Sequence, residues 1–269
     1  MNVFAMEIRN TRKSVIRWTI SISAVIIFLL TFFPSMQTES MKEMTGAKLD
    51  GIDPSLLAAM GLDRLIDFTV ITNFFGYALQ YITLAIMVFI THQAVSLLIK
   101  EETDGTIEYL YGKPLSRGEI FAGKLLAELT MYTTMLLVFA IITVAGYLCF
   151  SDYTLGAAIK ESAIFYGAIL FIGLVFMSVG VLMSTLIKSN KSASSVSISI
   201  VFATFIIGIM SILIKGMSFL GYLSPMDWIK TQKLMTDGIL PREWIIGIIL
   251  IAGSNMAAYV KYKKKDLLV

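Results

Sequence analysis

The sequence of 269 residues is 57% hydrophobic and only 15% charged, and its mean hydropathy is +0.78. Soluble domains are nearer half apolar and about a quarter charged, so this composition is typical of an integral membrane protein. The net charge of +3 is too small to favour nucleic acid as a partner, and one cysteine with one histidine excludes an intrachain disulfide and a Cys/His metal site.

Six uncharged stretches are of the length that a membrane span needs, which is roughly 20 apolar residues. They run from about 18 to 33, 70 to 99, 129 to 150, 162 to 187, 192 to 214 and 244 to 260. The first could be taken for a secretory signal, but Pro34-Ser35-Met36-Gln37 follows it in place of a small-x-small cleavage site. The sequence therefore predicts an all-α integral membrane protein with six transmembrane helices, in a single domain over 1–269.

Lysine and arginine are distributed unequally between the two sides of this six-span topology. The amino-terminal segment, the second-to-third loop, the fourth-to-fifth loop and the tail together carry 14 of them, and the opposite side carries 8. By the positive-inside rule, both termini are expected in the cytoplasm. The longest outside loop is then 34–69, where Pro54 precedes a segment that predicts a short amphipathic helix.

Before the first span, apolar or small residues recur at intervals of three or four, at Phe4, Ile8, Thr11, Val15 and Trp18. Charged and amide residues lie between them. This pattern predicts an amphipathic elbow helix over 1–17 in the cytoplasmic interface, with its basic face toward lipid phosphates or a partner protein. The alternative is a positively charged flank that happens to be helical.

The most charged stretch of the chain is the cytoplasmic loop 101–124, between the second and third spans. Gly105 is expected to end the second membrane helix, residues 106–111 to form a short helix, and residues 112–114 to turn the chain. Ser116, with Glu119 three residues later, predicts a capping box at the start of the third span.

Apolar residues within this charged loop, at 107 and 109–111, are available to dock on another protein. The alternative is that they pack back on the membrane end of this same chain.

The motifs in the loop are an acidic pair, a Gly-Thr pair, a Glu-x-Leu stretch, a Lys-Pro-Leu-Ser-Arg stretch and a Gly-Lys pair. In residues, these are Glu101-Glu102, Gly105-Thr106, Glu108 with Leu110, Lys113-Pro114-Leu115-Ser116-Arg117 and Gly123-Lys124. Together they resemble the ABC-2-type permeases, the membrane subunits of ATP-binding-cassette exporters. Further similar stretches are Phe33-Pro34-Ser35, Met60-Gly61-Leu62-Asp63, Phe75-Gly76-Tyr77, Leu223 to Trp228 and Tyr262 to Asp266. The sequence departs from the family pattern at Tyr111-Gly112 and Met226.

The resemblance implies that the loop acts as a coupling helix, which docks in a groove of a separate cytoplasmic ATPase while the elbow helix braces the contact. The residues implied in ATPase coupling are Glu101, Glu102, Gly105, Thr106, Ile107, Glu108, Leu110, Pro114, Ser116 and Arg117. Of these, Glu102 and Glu108 would pair with bases on the ATPase, and Ile107 and Leu110 would supply buried anchors.

The same resemblance implies that ATP and magnesium bind to the partner ATPase, and that this chain has no cofactor, metal or catalytic residue of its own. A second copy of the permease, or a paralogue, would complete the transporter in the plasma membrane of a bacterium, surrounded by lipid. The apolar spans favour a hydrophobic or amphiphilic cargo, such as a drug, a peptide antibiotic or a lipid-like compound.

Three other functions have weaker support in the sequence. Residues 118–124 begin like a P-loop, but Leu125 stands where a Ser or Thr should hold magnesium. An intramembrane protease needs several bases or metal ligands, which one histidine and one cysteine cannot supply. An ion-coupled carrier is expected to have ionisable groups near the middle of its spans, and the six predicted middles are nearly free of charge. A carrier or scaffold without an ATPase partner is therefore the alternative.

Overall fold

The computed structural model describes residues 3–39, 53–62, 67–105, 115–214 and 216–264. Within these ranges every regular element is helical, and six helices are long and apolar enough to cross a membrane. The prediction of an all-α protein with six membrane helices is therefore confirmed. The six are α1 (Val3–Phe32), α2 (Ile71–Ser96), α3 (Arg117–Phe150), α4 (Leu155–Ser184), α5 (Ala193–Leu213) and α6 (Pro241–Lys264).

Short helical segments join the long helices. The predicted short helix of the first outside loop is present as Pro54–Ala59, and it begins where the Asp53 carboxylate accepts a hydrogen bond from the backbone N–H of Ser55 at 2.7 Å. The others are the 3-10 segments Phe33–Met36, Asn190–Ser192, Ser218–Leu223 and Pro225–Ile229, and the short helices Lys100–Thr103 and Thr231–Thr236.

Several of the long helices exceed the hydrocarbon thickness of a bilayer, α1 and α3 among them. At 1.5 Å per residue, the 30 residues of α1 and the 34 residues of α3 span about 45 and 50 Å, against roughly 30 Å of hydrocarbon. The two helices pack along each other, and the charged parts of both lie at the same end. We call this the loop end, because α2 also finishes there and the 101–124 loop begins there. The other end of the bundle is called the opposite end.

The amino-terminal helix differs from the predicted elbow. Residues 3–17 are helical, as expected, but they continue into the first span without a break. Val3, Glu7 and Thr11 are the buried residues of this part, whereas Trp18 of the predicted apolar stripe is 37% exposed. This helix therefore buries a partly charged face, because that face packs against α3.

The centre of the bundle is α4, the most buried of the six helices. It packs against α2, α3 and α6, and α2 also packs against α5. Glycines permit the closest approaches: a Cβ added at Gly180 would lie 2.7 Å from Ala94 Cβ of α2, and one at Gly173 would lie 2.0 Å from the Tyr132 hydroxyl of α3. Small residues that permit such close approach are how membrane helices associate without a hydrophobic driving force.

At the opposite end, polar side chains connect α2 to the α3–α4 junction. The Tyr153 hydroxyl donates to the Glu161 carboxylate at 3.1 Å and lies 2.7 Å from Thr72 Oγ1, which also hydrogen-bonds to Glu161. Burial raises the pKa of the Tyr153 hydroxyl, so it stays protonated as a donor. These contacts fix the start of α4 to the start of α2.

Candidate functional site at the loop end

The predicted coupling loop is described at its two roots. The entry root is the segment from Leu97 to Gly105, and the exit root begins at Leu115 and continues into α3. Of the predicted site residues, the structure places Glu101, Glu102, Gly105, Ser116 and Arg117. The remaining five, Thr106, Ile107, Glu108, Leu110 and Pro114, lie outside the described residues, as does the predicted short helix over 106–111.

The entry root begins earlier than the sequence predicted. Helix α2 ends at Ser96, and a turn of three buried residues, 97–99, leads into the short helix Lys100–Thr103. The Leu97 carbonyl accepts a hydrogen bond from the Lys124 ammonium at 2.6 Å. Gly105 follows with a φ of +66°, a conformation that glycine adopts readily. Gly105 thus follows the short helix and does not end α2 itself.

The exit root is fixed by the capping box that the sequence predicted. Ser116 Oγ accepts a hydrogen bond from the Glu119 backbone N–H at 3.2 Å, and Glu119 Oε2 accepts one from the Ser116 N–H at 2.7 Å. Two backbone donors at the start of α3 are satisfied in this way. The prediction of a capping box is confirmed, and it gives Ser116 a structural role.

The Lys124 side chain is the hub of the loop end. Its ammonium lies 3.3 Å from Glu7 Oε2 of α1 and forms a second ion pair with Glu101 of the entry root. The Thr11 hydroxyl donates to Glu7 at 3.2 Å. The Lys124 side chain is 1% exposed, and the side chains of Glu7 and Glu101 are 5% and 13% exposed. Together with its bond to Leu97, one ammonium joins α1, α3, the end of α2 and the loop root.

Burial of so much charge makes this junction sensitive to change. Glu128, one helical turn from Lys124, is also buried and interacts electrostatically with both Lys124 and Glu7. Buried charges are tolerated only when they are paired and hydrogen-bonded, and loss of one partner is costly. A displacement of the entry root that separated Glu101 from Lys124 would therefore be opposed, so the root, α1 and α3 are expected to move together.

Close approach of α1 to α3 depends on Gly123, the residue before Lys124. A Cβ added there would lie 3.0 Å from Val3 Cβ and 3.4 Å from the Phe4 nitrogen. Gly123 therefore lets Val3, at the start of α1, lie close to α3, and Lys124 forms an ion pair with Glu7 of α1. The sequence showed Gly123-Lys124 as a motif but did not show that Glu7 is the partner of Lys124. The one indication was that Glu7 lies four residues from both Val3 and Thr11, so the three share one face of α1.

Other hydrogen bonds tie the roots to the rest of the bundle. Arg117 Nη1 donates to the carbonyls of Tyr262 and Lys263 at the end of α6, at 3.1 and 3.0 Å. At the entry root, the Asn190 backbone N–H donates to Thr103 Oγ1 at 3.0 Å, which connects the loop to the α4–α5 turn. Both roots are thus anchored to more than the helices that they join.

The residues that begin like a P-loop have a different structure. Gly118 to Lys124 form the first turns of α3, and the Lys124 ammonium is already paired with carboxylates. A P-loop instead surrounds phosphate with free backbone N–H groups of a glycine-rich loop and a lysine. This segment is therefore unsuited to nucleotide.

Comparison with known proteins agrees with the resemblance of the motifs. The chain matches the family model described as "ABC-2 family transporter protein" over residues 1–267, a range that includes all six long helices and the loop. No similar sequence was found among curated proteins. Six apolar helices, a charged loop with anchored roots and a match over nearly the whole chain lead to one conclusion: the protein belongs to the ABC-2 family of transporter membrane proteins.

Proposed function

We propose that the chain is the transmembrane permease subunit of an ATP-binding-cassette exporter whose ATPase is a separate polypeptide. It works as a dimer with a second copy or a paralogue, and its loop end faces the cytoplasm, in agreement with the excess of Lys and Arg there. The observation that carries the proposal is the buried Lys124 hub, which connects the root of the predicted coupling loop to two membrane helices.

The hub supplies a route for mechanical coupling. When the ATPase subunits close on ATP, the docked loop is displaced, and its entry root moves with it. Glu101 transmits the displacement to Lys124 of α3 and from there to Glu7 of α1, while the Leu97 carbonyl transmits it to the end of α2. Closure of the ATPase on nucleotide thus displaces the loop and tilts α1, α2 and α3, which contact one another.

This route divides the predicted coupling residues into two groups. Glu101, Ser116 and Arg117 hold the roots in place, because their side chains bind Lys124, Glu119 and the end of α6. Contact with the ATPase then falls to the loop itself, with Glu102 and Glu108 pairing with bases of the ATPase. Ile107 and Leu110 would be the apolar anchors, since a few buried residues near the centre of an interface supply most of its energy.

The cargo is proposed to be hydrophobic or amphiphilic, such as a drug, a peptide antibiotic or a lipid-like compound. The support is the apolar character of the six spans, which offer a charged compound few partners.

Co-purification tests the proposal. The chain is extracted in mild detergent with its native partners, and an ATP-binding-cassette subunit is sought by mass spectrometry. Glu102→Arg with Leu110→Asp should abolish the association and leave membrane insertion intact, because it reverses a charge and places a carboxylate at an apolar anchor. The matched control is Lys188→Glu with Leu186→Asp, two exposed residues of the α4–α5 turn at the same end.

Retention of the partner by the loop variant would contradict the docking role of the loop. If no ATPase accompanies the unmodified chain, the permease assignment gives way to a carrier or scaffold.

A further inference from the structure

A groove between α3 and α4 lies toward the opposite end of the bundle, away from the coupling site. Its volume is about 470 Å³. The walls are almost entirely apolar, and the residues that shape it are Leu137, Ala140, Ile141, Ile159, Ala163 and Gly167. Since both helices are membrane spans, the groove opens into the hydrocarbon of the bilayer.

Small residues create the groove, and its floor needs no polar ligand. A Cβ added at Gly167 would meet nothing within 4 Å, so the space beside it is open. On the floor, the Tyr166 hydroxyl and Thr143 Oγ1 are 2.8 Å apart and satisfy each other, and Ser162 Oγ donates to the Ala140 carbonyl at 3.3 Å. A ligand of this groove therefore needs an apolar chain and no polar group along it.

Lys160 lies on α4 next to Ile159, which lines the groove near the start of that helix. Lys160 lies three residues before Ala163 and seven before Gly167, so the three share one face of α4. Its side chain is exposed, and it forms no ion pair with the residues that the structure describes. The neighbouring acid, Glu161, is engaged with Thr72 and Tyr153. A lysine near a helix end extends its ammonium to the headgroup level while its stem stays apolar.

We propose that the groove is a binding site for one anionic phospholipid, with an acyl chain between α3 and α4 and the phosphate at Lys160. An unfilled groove in the hydrocarbon would lose dispersion contacts along its walls, so a chain must occupy it. The Lys160 ammonium favours an anionic headgroup over a zwitterionic one. Only the leaflet depends on the proposed function: with the loop end cytoplasmic, this lipid comes from the extracellular leaflet.

Spin-labelled lipids test the site directly. The chain, with any co-purified subunits, is placed in nanodiscs with chain-labelled phosphatidylglycerol or phosphatidylcholine, and the immobilised fraction is measured by electron paramagnetic resonance. We expect about fivefold preference for phosphatidylglycerol, as one basic residue near an anionic membrane surface contributes about that factor. Lys160→Gln should remove the preference, and Gly167→Leu, whose Cβ would meet nothing within 4 Å and whose side chain would extend into the groove, should lower immobilisation of both lipids.

Matched controls separate the groove from the general lipid surface. Ala252→Leu adds a leucine at an exposed small residue of α6 that does not line the groove, and Lys188→Gln removes an exposed lysine at the loop end. Both should behave as the unmodified chain does. Equal immobilisation of the two lipids by the unmodified chain, or equal loss in Gly167→Leu and Ala252→Leu, would overturn the proposal.

The groove could instead be covered by a second protein chain. In that case Gly167→Leu would lower the dimer content in light scattering and leave lipid selectivity unchanged, which would also overturn the proposal. The lipid measurement requires neither ATPase nor transport, so its result stands even if the permease assignment fails.

Discussion

The two ends of the bundle differ in what surrounds their charged contacts: one buried ammonium joins the helices at the loop end, and a fully buried tryptophan lies at the opposite end. At the loop end, charges and hydrogen bonds join the helices: Lys124 binds Glu7 and Glu101, and Arg117 binds the end of α6. At the opposite end, residues 218–236 form a cap of short helical turns between α5 and α6, and close packing there is joined by an ion pair of Lys233 with Glu243 of α6 at 2.5 Å. Trp228 of the cap is fully buried, and a Cβ at Gly76 of α2 would lie 2.5 Å from Thr231 Cγ2.

This difference fits a molecule that is driven from one end. An ion pair can be kept while the helices that carry it tilt, because long side chains adjust their reach. Closely packed aromatic side chains and helix contacts at glycines fit together well in only one arrangement, so they do not deform gradually. The loop end is therefore suited to receive movement, and the cap is suited to hold the far ends of the helices in a defined arrangement.

The largest effect should come from breaking the packed end. Trp228→Ala removes a fully buried indole, and its Nε1 hydrogen bond to the Gly221 carbonyl at 3.3 Å is lost as well. We expect a loss of about 3–5 kcal/mol in the free energy of unfolding, the usual cost of truncating a buried aromatic residue. Thermal unfolding of the purified protein in detergent measures it as a lower melting temperature.

Trp244→Ala is the control for this prediction. Trp244 lies in the first turn of α6, near the same end, and its ring centroid is 4.1 Å from that of Phe171. Trp244 is nevertheless 43% exposed. Its truncation should lower the melting temperature much less. Equal shifts for the two tryptophans would show that the cap is not a close-packed unit.

At the loop end, Lys124→Met should have the next largest effect. The substitution leaves Glu7 and Glu101 buried without their cation, and breaking a buried ion pair costs about 3–5 kcal/mol. We expect the lower part of this range, because Glu101 is 13% exposed and can turn toward water. Thermal unfolding in detergent reports the stability, with Lys188→Met as a control that alters an exposed lysine.

A second variant distinguishes lost charge pairing from lost packing. Glu7→Gln combined with Lys124→Met removes both charges of one pair, so it should be more stable than Lys124→Met alone. If the double variant is the less stable one, the Glu7–Lys124 pair does not hold α1 to α3.

Local features of the fold were predictable from the sequence, and contacts between distant segments were not. The six helices follow from hydropathy, and the capping box follows from Ser116 and Glu119, three residues apart. The pairing of Glu7 with Lys124 requires that α1 and α3 pack side by side beyond the bilayer, which no local pattern shows. The early end of α2 also depends on a distant segment, because the Leu97 carbonyl accepts a hydrogen bond from Lys124 of α3.

The sequence proposed a candidate site in the 101–124 loop, which stays a prediction, and it did not indicate how the roots of that loop are held. The motifs of the 101–124 loop identified the segment that the family resemblance relates to an ATPase. They did not show that Glu101 faces inward to Lys124, since its neighbour Glu102 has the same charge and the same local sequence. The ion pair of Glu101 with Lys124, which forms only when α3 packs beside the entry root, reveals its role.

The smallest effect should come from Arg117, and it tests whether the two ends respond separately. Arg117→Ala removes two hydrogen bonds to the end of α6, for a loss of about 1 kcal/mol in a partly exposed setting. Hydrogen exchange should become faster at residues 258–264 and stay unchanged in the cap.

Arg242→Ala is the counterpart, because Arg242 donates to the Tyr222 hydroxyl at 2.8 Å and lies 4.4 Å from its ring. It should speed exchange around 218–223 and leave the loop end unaffected. Faster exchange at both ends in either variant would mean that the bundle opens as one unit, and the contrast between a movable end and a fixed cap would then have to be given up.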